Sequence, residues 1–246
     1  MALGDNYAAK VPTGLGIKSK AGLNQRFLRI IRERAQGEPL SVLEAGVGHG
    51  FFAKECVAAG HEFWGVESNR LLFESLCDKG IRVKHCKCPP LPFDTASFDV
   101  VYAGYFVEFL PDAATVFEFF EECYRVLKPG GILAVVSSDY TIMGNEFWNV
   151  SYLRSFATTE RRLGQAMYDA GLTHEQSIFF AGNLFGPSRY LAYVFYRLYP
   201  HNLLNRIFGQ NTNLNSRIYK LRVSFAEGML LIGSKKDAPD APRVIF

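Results

Sequence analysis

The sequence has no stretch of about 18 uncharged apolar residues, so no membrane-spanning helix is expected. Its first residues, "MALGDNYAAKVPTG", bring an early Asp and no apolar core, unlike a secretory signal. Cysteines are few: Cys56, Cys77, Cys86, Cys88 and Cys123. An odd number at irregular spacing excludes a disulfide framework and points to a reducing cytoplasm. "HCKC" at 85–88 lacks four ligands at closed-site spacing, so no metal is expected. Internal repeats and low-complexity tracts are absent. The formal charge of +3 is too small to imply nucleic acid by itself. One absence is local: no Asp or Glu occurs from Gln176 to Ala226.

What is present is an alternation. The chain has 246 residues, 48% of them hydrophobic, enough for a sizeable core. Leu23, Phe27, Ile30 and Ile31 recur at helical spacing and predict an amphipathic helix from Leu23 to Arg34. Apolar strands then alternate with helices: "SVLEAG", "FFAKECVAAG", "EFWGVE", "SNRLLFESLCDKG", "IRVKHC", "FDVVYAG", "PDAATVFEFFEECYRVLKPGG" and "ILAVVSS". Right-handed βαβ crossovers follow, with a parallel sheet covered on both faces. A helix near Thr158, a strand at "HEQSIFFAG" and a terminal strand at "FAEGMLLIGSKK" complete the pattern. The fold class is α/β, a doubly wound, mostly parallel seven-stranded sheet with a helical insertion before an antiparallel last strand. Residues 1–22 form an arm or lid, 23–182 with 225–236 the core, and 183–224 an inserted cap. Cys56, Cys77 and Cys123 read as packed helix-face thiols.

"EAGVGHG" at 44–50 lies beyond the first strand, where such sheets bind ligands. Its glycines are spaced G-x-G-x-G, and Phe51 stands where a dinucleotide fingerprint wants its third glycine. Glu44 at the strand end would repel a pyrophosphate and suits an ammonium group, while helix N-terminal amides beyond the turn can take a carboxylate. The methionine moiety of S-adenosylmethionine carries both. Glu67, ending "WGVE", is placed to accept both hydroxyls of a ribose. That feature points to adenosine and not to a reaction.

From about Leu40 to Ser137 the chain resembles the class I S-adenosylmethionine-dependent methyltransferases, in particular the small-molecule branch with the ubiquinone/menaquinone-type (type 11-like) enzymes. The resemblance rests on "VLEAGVGHG", "GVE", "LPFDTASFDVVYAG" and "EECYRVLKPGGILAVV" in order, with "GMLLIGSKK" resembling the antiparallel last strand. It implies a methionine site at Glu44, Ala45, Gly46, Gly48 and Gly50, and a ribose site at Glu67 and Ser68. It also implies adenine packing on Leu72, and a methyl-transfer mouth at Gly104 and Tyr105. An acidic residue that the family often has before "LPF" is replaced by about Lys87, so adenine recognition is expected to fall on backbone near Cys88. Tyr7 is a flap candidate, and His49 lies inside the turn.

The acid-free segment carries Arg189, Arg197, Arg206, Arg217, Lys220 and Arg222 among many aromatics. In "SRYLAYVFYRLYPHNLLNRIF" apolar residues crowd a helix almost all round until Pro200 breaks it. Three readings compete: a cap shaping an acceptor pocket, a cover or membrane-interfacial patch for a lipophilic or anionic acceptor, and a nucleic-acid surface. The first two are compatible and nucleic acid is disfavoured. Where the acceptor must lose a proton, Asp139 and His201 are the leading candidates, with Glu108 and Tyr140 nearby. The expected activity is methyl transfer from S-adenosylmethionine to a small aromatic, lipophilic or natural-product-like acceptor. RNA or protein methylation, a non-methylating reaction, donor binding without catalysis, and a dehydrogenase stay open as alternatives.

Overall fold

In a computed structural model of the protein, the alternation builds an eight-stranded sheet. The structure describes residues 5–9, 14–35, 37–208, 218–219, 221–222 and 225–236. In chain order the elements are α1 (Asp5–Ala8), α2 (Leu15–Arg32), β1 (Ser41–Ala45), α3 (Phe51–Ala58), β2 (Glu62–Glu67), α4 (Arg70–Asp78), β3 (Val83–His85), β4 (Phe98–Gly104) and α5 (Ala113–Val126). They continue with β5 (Leu127–Ser138), α6 (Tyr140–Met143), α7 (Glu146–Asn149), α8 (Glu160–Asp169), β6 (Thr173–Ala181), β7 (Leu184–Phe185), α9 (Arg189–Leu198), α10 (His201–Phe208) and β8 (Glu227–Ser234). The strand order is β3-β2-β1-β4-β5-β8-β6-β7. Strands β1 to β5 are parallel, and β8 runs antiparallel between β5 and β6.

Burial follows the two-residue period of the strands. Leu43, Ala45, Val101, Leu133 and Val135 face α5 and α8, packing on Phe119, Phe120, Leu163 and Met167. Val42, Val100, Tyr102, Ala134 and Val136 face the other way, onto Phe27 and Ile31 of α2 and Phe52, Ala53 and Cys56 of α3. Both faces are apolar, as a crossover-covered sheet requires. Helix starts are set by side-chain caps: Asn69 accepts from the Leu72 N–H, Asp112 from Thr115 and Thr159 from Arg162.

Several expectations are corrected. The sheet has eight strands, because Leu184–Phe185 adds a short antiparallel strand to β6. Helix α2 starts at Leu15, inside the stretch expected to be an arm. Helix α5 is opened by Asp112 rather than Pro111. The short helices α6 and α7, between β5 and α8, were not foreseen: four residues each carry too little periodicity to read. Pro200 does separate α9 from α10. Cys56 and Cys123 are buried, but Cys77 is exposed on the outer face of α4. Of the expected cap, residues 209–217, 220 and 223–224 lie outside the described residues, Arg217 and Lys220 among them. Among the described residues no helix is long and apolar enough to cross a membrane.

The carboxyl ends of β4 and β5 are tied by an ion pair taken fully out of water. Arg154 Nη2 lies 2.6 Å from Glu108 Oε1, with both side chains buried. Arg154 also donates to the Phe147 carbonyl and the Ser138 hydroxyl, and Ser137 Oγ donates to Glu108. Burial pushes the Glu108 carboxyl up, opposed mainly by the Arg154 charge. Removing one partner strands the other charge, so Arg154→Ala is expected to cost about 3–5 kcal/mol, measured by urea unfolding. The pair replacement Glu108→Gln with Arg154→Met is expected to be less damaging than Arg154→Ala alone. A single substitution within about 1 kcal/mol of wild type would show that the pair holds nothing in place.

Candidate cofactor and active site

The residues assigned to the donor in the sequence meet along one edge. Strands β2, β1 and β4 are neighbours, so their carboxyl ends bring Glu67, Glu44 with Ala45, and Gly104 with Tyr105 together. Glu44 pairs in register with Gly65 on one side and Tyr102 on the other. Gly65 has to be glycine: a Cβ there would sit 2.3 Å from Val47 Cγ2.

The turn after β1 is shaped by positive φ at Gly46 (72°), Gly48 (58°) and Gly50 (79°). Gly46 lies under Phe106, where a Cβ would come 2.6 Å from the ring. Any side chain at Gly46 meets both a strained backbone and that ring. Glu67 locks the turn from the side: its Oε2 accepts from the Gly48 N–H and its Oε1 from the Asn69 N–H, each at 2.8 Å. Asn69 in turn caps α4, which sets Leu72, buried, just beyond.

Helix α1 reaches the same turn. Asn69 donates to Asp5 at 3.1 Å, and the Tyr7 ring packs on His49 with centroids 4.9 Å apart. The Tyr7 hydroxyl lies 3.3 Å from where a Gly48 Cβ would stand. The imidazole of His49 is pushed toward its neutral form by burial and by Lys20.

Glu44 is the unusual residue. It is 4% exposed, and its Oε2 accepts no hydrogen bond among the described residues. Burial raises its carboxyl well above the ordinary value, the Glu67 charge raises it further, and the Ala53 N–H opposes the rise. A desolvated carboxylate with a spare oxygen fits an ammonium group. The residues present therefore fit the amino-acid end of S-adenosylmethionine.

Ser68 offers its carbonyl to His85, whose ring stacks on Phe73. Lys87 is exposed, and Cys88 is half-buried, packed against the core beside Cys123, with its thiol pushed up by burial. Asp139 is 3% exposed and acts as the cap of α6: Oδ1 accepts from the Thr141 N–H and hydroxyl, and Oδ2 from the Glu160 N–H. Helix α10 begins at His201, whose side chain lies outside the described residues. Tyr140 stands in an aromatic group with Phe147 and Trp148.

Residues 43–135 match the model of a methyltransferase domain family. The chain carries a class I S-adenosylmethionine-dependent methyltransferase domain. S-adenosylmethionine is the methyl donor of that family. Over 96 residues the chain is 34% identical to a probable S-adenosylmethionine-dependent methyltransferase of Mycolicibacterium smegmatis, covering 38% of this chain and 36% of the relative. Over 136 residues it is 27% identical to the sterol 4-C-methyltransferase strm-1 of Caenorhabditis elegans, covering 52% and 40%. The chain thus spans well under half the length of these relatives. A solved structure from Galdieria sulphuraria, described as a sarcosine dimethylglycine methyltransferase, superposes with a TM-score of 0.62 at 13% identity, covering 88% of this chain and 85% of that one. It shares the fold of the methyltransferase domain.

Sequence reasoning missed Asn69, Ala53, Phe106 and Arg154. Asn69 was legible, since an Asn before a helical run is a start signal. The Ala53 N–H and Phe106 meet Glu44 and Gly46 only after folding. The Arg154 contact spans 46 positions of sequence.

The raised Glu44 carboxyl has a consequence for pH. The folded protein keeps a proton that the unfolded chain gives up near the ordinary value of 4.5. The stability linked to that proton is present at acid pH and falls as pH rises above this value toward the folded one. An ammonium group at Glu44 restores the charge and expels the proton. Titration with S-adenosylhomocysteine in buffers of different ionisation enthalpy is expected to show proton release by wild type at about pH 6 and none by Glu44→Gln. The substitution is also expected to cost about 2 kcal/mol or more in affinity. Equal proton release by both proteins would remove Glu44 from the site.

Proposed function

We propose that the protein methylates a small aromatic or lipophilic acceptor that enters over the carboxyl ends of β4 and β5. One observation carries this reading. The segments following these strands expose Tyr105, Phe109, Trp148 and Tyr152, while the acids beside them are engaged. Glu108 is paired with Arg154, Glu146 with Arg222 and Glu227 with Arg189, and Asp139 caps α6. A mouth lined by aromatic rings, with its carboxylates withdrawn, suits an apolar acceptor rather than a cationic one. The sterol methyltransferase among the relatives supports the same class. In this reading α9 and α10 cap the edge, with Arg189 and Tyr196 turned inward, and α1 closes over the glycine turn through Tyr7.

When bound, the donor supplies an electrophilic methyl carbon on a sulfonium, displaced in line. The protein's part is placement. Glu44 holds the ammonium group and Glu67 the ribose hydroxyls, its oxygens already fixed by Gly48 and Asn69. Tyr105, held in the left-handed region at φ 52° by its N–H bond to the Val136 carbonyl, presents its ring at the mouth. Asp139 acts by ordering α6 and not as a proton acceptor, because three donors already occupy its oxygens.

The test is release of S-adenosylhomocysteine with panels of phenols, quinols and sterols set against transfer RNA and histone-tail peptides. Turnover is expected with one of the small-molecule classes and not with the polymers. Turnover confined to RNA or peptide would overturn the acceptor class. Asp139→Asn is expected to keep kcat within about threefold while lowering Tm, since a weakened cap costs about 0.5–2 kcal/mol. A loss of a hundredfold or more in kcat with Tm unchanged would return Asp139 to the chemistry.

A further inference from the structure

Helix α9 is amphipathic the wrong way round for a helix packed on a sheet. Tyr190, Leu191, Val194, Phe195 and Leu198 are all exposed, Leu191 at 74% and Leu198 at 75%. Their spacing, i, i+1, i+4, i+5 and i+8, places them on one continuous stripe about 140° wide. The opposite face, which rests on β6, buries only Ala192 and Tyr196 and turns Arg189 inward to Glu227. The larger aliphatic side chains thus point outward and the small and polar ones inward. After Pro200, α10 adds exposed Leu203 and Ile207.

Charge sets what such a face can meet. Glu227 is the first acid after Glu175, so nothing negative is contributed by this segment, and Arg197 and Arg206 are exposed within it. An apolar stripe flanked by arginines and free of carboxylates is complementary to an anionic bilayer surface. Each arginine can reach a headgroup phosphate while its neighbours enter the acyl boundary.

We propose that α9, extended by α10, docks this protein on the surface of a membrane containing anionic lipid. Arg189 joins α9 to Glu227 at the start of β8, and Gly228 pairs with Ser138 at the carboxyl end of β5. The docking face therefore lies on the helix that adjoins the proposed acceptor mouth. The proposal concerns a surface and stands whether or not the acceptor class is right.

The test is cosedimentation of the full chain with vesicles of phosphatidylcholine alone and of phosphatidylcholine with phosphatidylglycerol. Binding is expected to the anionic vesicles, at least about tenfold weaker to the neutral ones, and weakened by raising salt from about 0.1 to about 0.5 M. Leu191→Glu with Leu198→Glu, both at solvent-facing positions, is expected to abolish binding while circular dichroism melting is unchanged. Should that variant fail to fold, Arg197→Glu with Arg206→Glu is the second probe and is expected to lose at least tenfold in binding to the anionic vesicles alone. No binding to anionic vesicles, equal binding by the folded variants, or a dimer in sedimentation velocity that Leu191→Glu/Leu198→Glu makes monomeric without vesicle binding would each overturn the proposal. The last outcome would assign the stripe to a second copy of the chain.

Discussion

A carboxylate held out of water at the end of β1 governs the arrangement of the candidate donor site. Glu44 lies between Gly65 and Tyr102 in the sheet, beneath α3, with one oxygen on the Ala53 N–H and the other unmatched. Burying such a group costs several kcal/mol unless a partner arrives or the group takes up a proton. The surroundings fit this arrangement. Gly65 and Gly46 give up side chains so that Val47 and Phe106 can close around the turn, and Glu67 pins the turn through Gly48.

The other acids at the same edge make the contrast. Glu108, Glu146 and Glu227 each have an arginine within 3.2 Å or less. Their charges are balanced inside the fold, so they stiffen the segments after β4 and β5 and bridge the cap to the core. A balanced acid makes a structural tie, and Glu44 has no ion-pair partner of this kind among the described residues. Asp139 is engaged in another way, its oxygens satisfied by backbone and hydroxyl donors at the start of α6.

Helix α9 departs from the rule that packs the rest of the molecule. In α5, Val116, Phe119, Phe120 and Cys123 are buried and the polar residues face outward. In α9 the assignment is reversed, and each exposed leucine forgoes about 1.5–3 kcal/mol of burial.

The sequence by itself determined the family of the domain and its methyl donor. A strand ended by Glu44, a glycine turn stopped by Phe51 and a second strand ended by Glu67 are local patterns. Backbone periodicity and positive φ at glycine make such patterns readable without a fold. The parallel sheet covered on both faces followed from the alternation of strands and helices, while the strand order was set by the fold. What only the tertiary structure decided is the use made of each polar group. Whether a carboxylate stays unmatched like Glu44, meets an arginine far along the chain like Glu108, or caps a helix like Asp139 depends on neighbours brought together by folding. The direction in which α9 turns its apolar side was likewise settled by packing: a helix crowded with apolar residues reads the same from either side until a sheet covers one of them.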